Sequence, residues 1–172
     1  MEVSSHAISQ NRIYGLKYAA AAFTNLSHDH LDYHKTFKVY RDVKKKFFDS
    51  LSKSTFSITN ADDKNGSYMI QNTKSKTFSY SLNSNSDFSL KILEKDFNGM
   101  KILINKTELW TKLTGKFNAY NILLVYAIAK GFKISDDFIL KNLSLLSSPE
   151  GRFELVNDVS DKIGIIDYAH SP

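Results

Sequence analysis

The sequence concentrates metal-binding residue types in one string, His28-Asp29-His30-Leu31-Asp32-Tyr33-His34. Imidazole nitrogens and carboxylate oxygens ligate zinc and related divalent ions, and strings of this kind occur in dinuclear hydrolases. Such a hydrolase needs further ligands far along the chain, yet the only other histidines are His6 and His170. A polar loop following a buried strand is the better reading, with a single metal-contacting histidine between the two extremes.

Lys44 is the second chemical candidate. Across residues 36–51 the apolar positions Phe37, Tyr40, Phe47 and Leu51 follow the three-and-four spacing of an amphipathic helix, with a gap that Lys44 fills. Lys45 and Lys46 rotate away from that stripe and read as solvated charges. A lysine on an apolar face snorkels to water, which is the usual outcome. Alternatively it loses its charge by desolvation, becomes nucleophilic and adds carbon dioxide, which makes the position a carboxylate. The helix pattern favours the first outcome and leaves the second open. A phosphate-cradling loop ending in Gly-Lys-Thr or Gly-Lys-Ser is absent from these residues, and Gly66, Gly99, Gly115 and Gly131 stand alone.

The elements that must position these residues follow from periodicity. A short helical stretch after Ser4 and Ser5 runs to about Asn11 and turns near Gly15, and residues 18–23 read as a buried strand. Residues 56–59 form another strand, and residues 61–72 a short helix broken around Asn65-Gly66. This strand-helix alternation belongs to a parallel α/β sheet. Then Phe78, Tyr80 and Leu82 alternate, as do Phe88, Leu90 and Ile92, and Met100, Ile102 and Ile104. Asn98-Gly99 between the last two runs is a hairpin signal, so these three runs are expected to form a small antiparallel subsheet. The Ser/Asn tract at 81–86 is a polar connection within it. Residues 117–130 form a buried helix with Gly131 as its C-cap. Ser135 caps a second helix with Ile139, Leu143 and Leu146 on one face. Residues 153–156 and 163–166 are the last two strands.

Composition sets outer bounds. With 172 residues, 42% hydrophobic and 24% charged, the chain has enough apolar residues for about one core. The net charge is +5, but the basic residues are scattered apart from Lys44, Lys45 and Lys46, so no nucleic-acid patch is indicated. The chain has no cysteine, which removes disulfides and thiolate metal sites and fits a reducing compartment. No apolar run approaches the ~20 residues that span a bilayer. Met1 to His6 lacks the basic and apolar regions of a signal peptide, and reads as the end of a buried strand entering a turn.

Six segments, in order, carry a family resemblance. They are Glu2-Val3-Ser4-Ser5-His6, Thr24-Asn25-Leu26-Ser27 with the His28–His34 string, Asn60-Ala61-Asp62-Asp63, Gly115-Lys116-Phe117-Asn118, Gly151-Arg152-Phe153-Glu154 and Asp167-Tyr168-Ala169-His170-Ser171-Pro172. They resemble the motifs of the Mur ligases over the whole chain. The variants seen here are most similar to the branch that adds the third amino acid to UDP-N-acetylmuramoyl-L-alanyl-D-glutamate. The resemblance implies that ATP phosphorylates a substrate carboxylate and that an amino group displaces phosphate from the acyl phosphate, while magnesium screens the anions. It implies Glu2, His30 and Lys44 as metal ligands, with Lys44 carbamylated and, with His30, catalytic. It further implies Ser4, Gln10 and Arg12 on the UDP-muramoyl dipeptide, and Asn118, Arg152 and Asp167 on ATP. Lys35 stands where relatives often have glycine.

The expected fold is therefore α/β, a mainly parallel sheet flanked by helices, as in the P-loop-type central domain of a Mur ligase, with a small antiparallel subsheet. Residues 1–150 would be a partial central ATPase domain without its phosphate loop. Residues 151–172 would be the end of that domain and the hinge to a last one. The parent would be a cytoplasmic, monomeric enzyme using ATP, magnesium, the UDP-muramoyl dipeptide and a free amino acid, with no nucleic-acid or membrane partner. Amide ligases of the cyanophycin synthetase or folate-polyglutamylating type, and a non-catalytic binding protein of the same fold, are the alternatives.

Overall fold

The computed structural model of the chain describes residues 1–27, 31–159 and 162–169. The elements run α1 (Ser5–Ser9), β1 (Ala20–Phe23), α2 (Leu31–His34), α3 (Phe37–Asp49), β2 (Phe56–Asn60), α4 (Gly66–Ile70), β3 (Lys76–Ser81), β4 (Phe88–Asp96), β5 (Gly99–Ile104), β6 (Thr107–Thr111), α5 (Lys116–Gly131), α6 (Asp136–Ser144), β7 (Glu154–Val159) and β8 (Lys162–Ile166). Strands β1 to β6 form one six-stranded sheet in sequence order, and β7 and β8 form a separate hairpin. The first three junctions are parallel and the next two antiparallel. No helix among the described residues is long and apolar enough to cross a membrane.

The antiparallel part differs from expectation at both ends. β3, read from alternation as part of the subsheet, is instead parallel to β2 from Lys76 to Tyr80 and parallel to the start of β4. A short link between parallel strands is possible because β4 begins beside the end of β3, at Tyr80↔Phe88 and Ser81↔Ser89, so the chain never has to return to the strand's start. Asp87 fixes that junction by accepting from the Ser79 amide and hydroxyl, each at 2.7 Å. β6 escaped the sequence reading because its turn is Asn105-Lys106, both at positive φ (47° and 65°), the backbone of a type I′ hairpin without the usual glycine.

Two hydrophobic clusters hold the layers. α1, α3 and β1 meet through Ile8, Phe23, Tyr40, Val43, Phe47 and Phe48. α5 and α6, through Ile122 and Leu143, cover Ile58, Tyr80, Ile102 and Ile104. α3 starts where Thr36 accepts from the Val39 amide at 3.2 Å, a side-chain N-cap. Lys45 does not rotate into water as expected. It is buried at 6% exposure, pairs with Asp49 and lies 5.5 Å from the Tyr68 ring centroid, because α4 packs over that side of α3. Lys46 is exposed. Met1–Ser4 forms no strand. Lys35 takes φ 65°, a left-handed conformation that glycine adopts freely. Leu146, expected on the buried face of α6, is 39% exposed while Ile139 and Leu143 are buried.

Gly131 does not cap α5. It is the last residue of the helix, and the left-handed turn falls at Lys133, φ 61°. The glycine is needed for contact: a Cβ there would stand 2.5 Å from two atoms of the Phe56 ring, which is wedged between Phe78 and Phe132 at 6.3 and 5.1 Å. Alanine gains about 1 kcal/mol of helix propensity, but overpacking a fixed ring costs about 1–3 kcal/mol. Gly131→Ala is therefore expected to lower the denaturant midpoint without changing the m-value. A raised midpoint would contradict this packing.

Candidate active site

In an open parallel sheet, ligands bind beyond the carboxyl ends of the strands. Here the loops leaving β1, β2 and β3 meet the start of α5 at that end. The turn after β2 holds them together. Asn60 donates to Thr24 O at 2.9 Å and accepts from the Asp62 amide at 3.0 Å. Asp63 accepts from the Leu26 amide at 3.1 Å and the Asn65 amide at 2.7 Å. Asp62 Oδ1 accepts from the hydroxyls of Ser81 and Ser84, at 2.8 and 2.7 Å. Its Oδ2 accepts from the amides of Leu82 and Asn83, at 2.8 and 3.1 Å, and from the Tyr120 hydroxyl at 2.8 Å. Gly66 lets α4 back onto this turn, since a Cβ would lie 2.1 Å from Asn60 O.

Burial opposes ionisation of Asp62, but hydrogen bonds from Ser84, Ser81, Tyr120 and the Leu82 amide outweigh it and hold the carboxyl well below the usual carboxylate range. Burial, and then donation to Asp62, push the Tyr120 hydroxyl up to about 12. Between these groups lies a cavity of about 260 Å³ whose walls include Thr24, Asn60, Phe117, Tyr120 and Asn121. Aromatic faces beside carboxamides suit a flat ring with donors and acceptors on its edge.

A groove of about 500 Å³ adjoins it, sharing Thr24 and Asn25 and bringing Glu2, Val3, Phe23 and Lys44 together. Lys44 is half-buried, and its Nζ donates to Val3 O at 3.0 Å. Glu2 is exposed on the same groove. The sequence-derived partner His30 lies outside the described residues, as does His170. Among the described residues no three His, Cys, Asp or Glu side chains group as a metal site.

The other expected residues fall into separate places. Ser4 caps α1, accepting from the Ala7 amide at 3.1 Å. Gln10 and Arg12 are exposed just beyond that helix. Tyr33 lies against them, its pKa lowered by hydrogen bonds with Ser9 and Gln10 and then by the Arg12 charge. Asn118 donates back to Thr114 O at 2.8 Å and does not line the cavity, whereas Asn121, one turn later, does. The pair Asn118 and Asn121, three apart on one helix face, was the available signal for it. Arg152 and Asp167 are exposed and flank the bond from the Tyr168 amide to Gly151 O, 2.9 Å. The Phe117 and Phe153 rings, 5.4 Å apart, set that neck against the start of α5. A third cavity, about 640 Å³, opens at the opposite, amino ends of β1 and β2 and includes Lys17, Lys46 and Thr55.

The Asp62 network has a measurable pH signature. A carboxylate whose folded pKa is depressed stabilises the fold above its unfolded value of about 4, and that stability is lost as pH falls towards the folded value. Unfolding free energy is expected to fall from about pH 4 to pH 2 less steeply in Asp62→Asn, by up to one proton's worth of slope. Parallel slopes in the two proteins would remove Asp62 from this role.

Comparison with known proteins agrees with this architecture. A family model described as the Mur ligase middle domain matches residues 1–129. The UDP-N-acetylmuramoyl-L-alanyl-D-glutamate--2,6-diaminopimelate ligase of Bacteroides fragilis is 50% identical over all of this chain, which spans 36% of that protein. The ligase of the same name from Bacillus velezensis is 36% identical, again over the whole chain and 37% of its own length. A solved structure of a UDP-N-acetylmuramoyl-L-alanyl-D-glutamate--2,6-diaminopimelate ligase superposes with TM-score 0.78 at 27% identity, covering 99% of this chain and 36% of that one. MurF from Acinetobacter baumannii shares the fold, with TM-score 0.79 at 15% identity over 91% of this chain and 35% of its own. With three quarters of its length matched by the family model, the chain belongs to the Mur ligase middle domain family.

Proposed function

We propose that this chain is most of the central domain of an ATP-dependent ligase that joins an amino acid to UDP-N-acetylmuramoyl-L-alanyl-D-glutamate in peptidoglycan synthesis. The observation that carries the reading is the position of the Lys44 amine, 3.0 Å from Val3 O on the groove that also holds Glu2. An acid and a lysine 42 positions apart in sequence thus face one space, next to a cavity with walls suited to a nucleobase. The names of relatives identical at half of the positions support the substrate class. Such soluble UDP-linked substrates fit work in the cytoplasm.

The donor chemistry fits a hard divalent cation in part. Glu2 offers oxygen ligands of the kind magnesium prefers. As an ammonium, Lys44 would repel a cation and attract a phosphate oxygen; as a carbamate it would present two more oxygens. His30 would complete the set. ATP and magnesium, when bound, supply the phosphoryl group that activates the substrate carboxylate and the charge that screens it. The residues of the chain then have distinct tasks. Phe117 and Asn121 take the base, a role in which Asn118 acts from behind through the α5 start. Arg152 and Asp167 take the far side of the nucleotide. Ser4, Gln10 and Arg12 hold the UDP-muramoyl dipeptide, where a guanidinium gives a directional pair to a carboxylate or phosphate.

In the full-length protein, Lys44→Ala is expected to lower kcat for ligation roughly 10²-fold or more, while binding of the UDP-muramoyl dipeptide persists. An unchanged ligation rate would exclude Lys44 from the reaction. The 172 residues alone, having no Gly-Lys-Thr loop, are expected to show no magnesium-dependent ATP turnover, and turnover coupled to amide formation would overturn that.

A further inference from the structure

Asp62 lies on the wall of the base cavity but has little capacity left for a ligand. Its two oxygens already accept from the Ser81 and Ser84 hydroxyls, the Leu82, Asn83 and Ser84 amides, the Asn83 carboxamide and the Tyr120 hydroxyl. A carboxylate so fully engaged does not bind a base or a metal. What it does is mechanical. Tyr120 sits on α5 between Phe117 and Asn121, the residues that wall the cavity from the helix side, while Asn60 walls it from the β2 side. The bond from Tyr120 to Asp62 crosses from that helix to the β2 turn, 58 residues away in sequence. The same turn orders the loop at 81–84, whose Asn83 also donates to the Tyr120 oxygen at 3.3 Å.

We infer that Asp62, acting through Tyr120, is a positioning residue that sets the separation between α5 and the β2 turn and thereby the choice of nucleobase. This rests on reading the cavity as the base site of the nucleotide. A carboxamide on Asn121 reads a base edge only if it is held within a few tenths of an ångström, since hydrogen bonds weaken steeply with distance and angle. The Tyr120–Asp62 bond, with one charged partner, is of the stronger kind. Losing it leaves the fold's cores intact and frees the first turns of α5 to shift against Asn60.

The test uses the full-length protein with ATP, GTP and the photoprobe 2-azido-ATP on the wild type, Tyr120→Phe and Asp62→Asn. Tyr120→Phe removes one hydroxyl and keeps the ring, so it guards against a fold failure in Asp62→Asn. Tyr120→Phe is expected to raise KM for ATP roughly tenfold, to leave KM for the amino acid within twofold, and to narrow the ATP-over-GTP preference. The double variant should be no worse than Asp62→Asn alone, because both remove the same tie. The probe should label the wild type at residues 117–121 and Tyr120→Phe more weakly there. An unchanged ATP-over-GTP ratio with undiminished labelling at 117–121 would overturn the positioning role while leaving the base site standing. Wild-type labelling away from 117–121 would overturn both.

Discussion

Loops that leave the carboxyl ends of a parallel sheet have no ladder to satisfy their backbone amides, and a buried amide without a partner costs about 1–3 kcal/mol. In this chain two adjacent carboxylates meet that constraint at the buried Leu26 and half-buried Leu82, and take exposed amides besides. Asp63 takes the Leu26 amide from the loop after β1, and Asp62 takes the Leu82, Asn83 and Ser84 amides from the loop after β3. Asn60 adds Thr24 O, and Tyr120 ties in α5. Three parts that sequence keeps far apart, the loops after β1 and β3 and the start of α5, are therefore held by one turn of four residues. The smaller of the two spaces at this end of the sheet has that turn on one side and α5 on the other.

The division of labour follows from geometry. The groove with Glu2 and Lys44 is built by α1, α3 and β1, whose packing is apolar: Phe23 and Phe48 meet edge to face at 6.3 Å, and Phe47 meets Tyr18 at 5.0 Å. The cavity proposed for the base is built by α5 and the turn after β2, whose packing is polar and directional. Thr24 and Asn25 belong to both, so a ligand with a flat ring at one end and charge at the other can span them. That shape is the one the proposed nucleotide would need.

Much of this was legible in the sequence, and for identifiable reasons. The apolar spacing of Phe37, Tyr40 and Phe47 marks α3 because a helix face repeats at that interval, and Asn98-Gly99 marks the β4–β5 hairpin. The proposed metal and substrate residues came from motif order and not from periodicity, and the structure brings Glu2 and Lys44 to one groove while His30 stays outside the described residues. What was not legible depends on partners distant in the chain. Parallel pairing of β3 is decided by β2 and not by its own alternation. Gly131 is read as a cap until Phe56 is seen against it, and Lys45 as solvated until Tyr68 covers it. Asn118 was singled out by its motif, and only the direction of each side chain from α5 shows that Asn121 is the one on the cavity wall. The structural role of Asp62 needed the loop at 81–84 in view, since a motif of Asn, Ala, Asp and Asp states a turn and not what the turn holds.

The most direct test of the account is a crystal structure of the full-length protein with magnesium and a non-hydrolysable ATP analogue. The account requires the base against Phe117 and Asn121, with the metal and phosphates over Glu2 and Lys44 at the carboxyl ends of the strands. Nucleotide density at the amino ends of β1 and β2, in the cavity that includes Lys17 and Lys46, would contradict it.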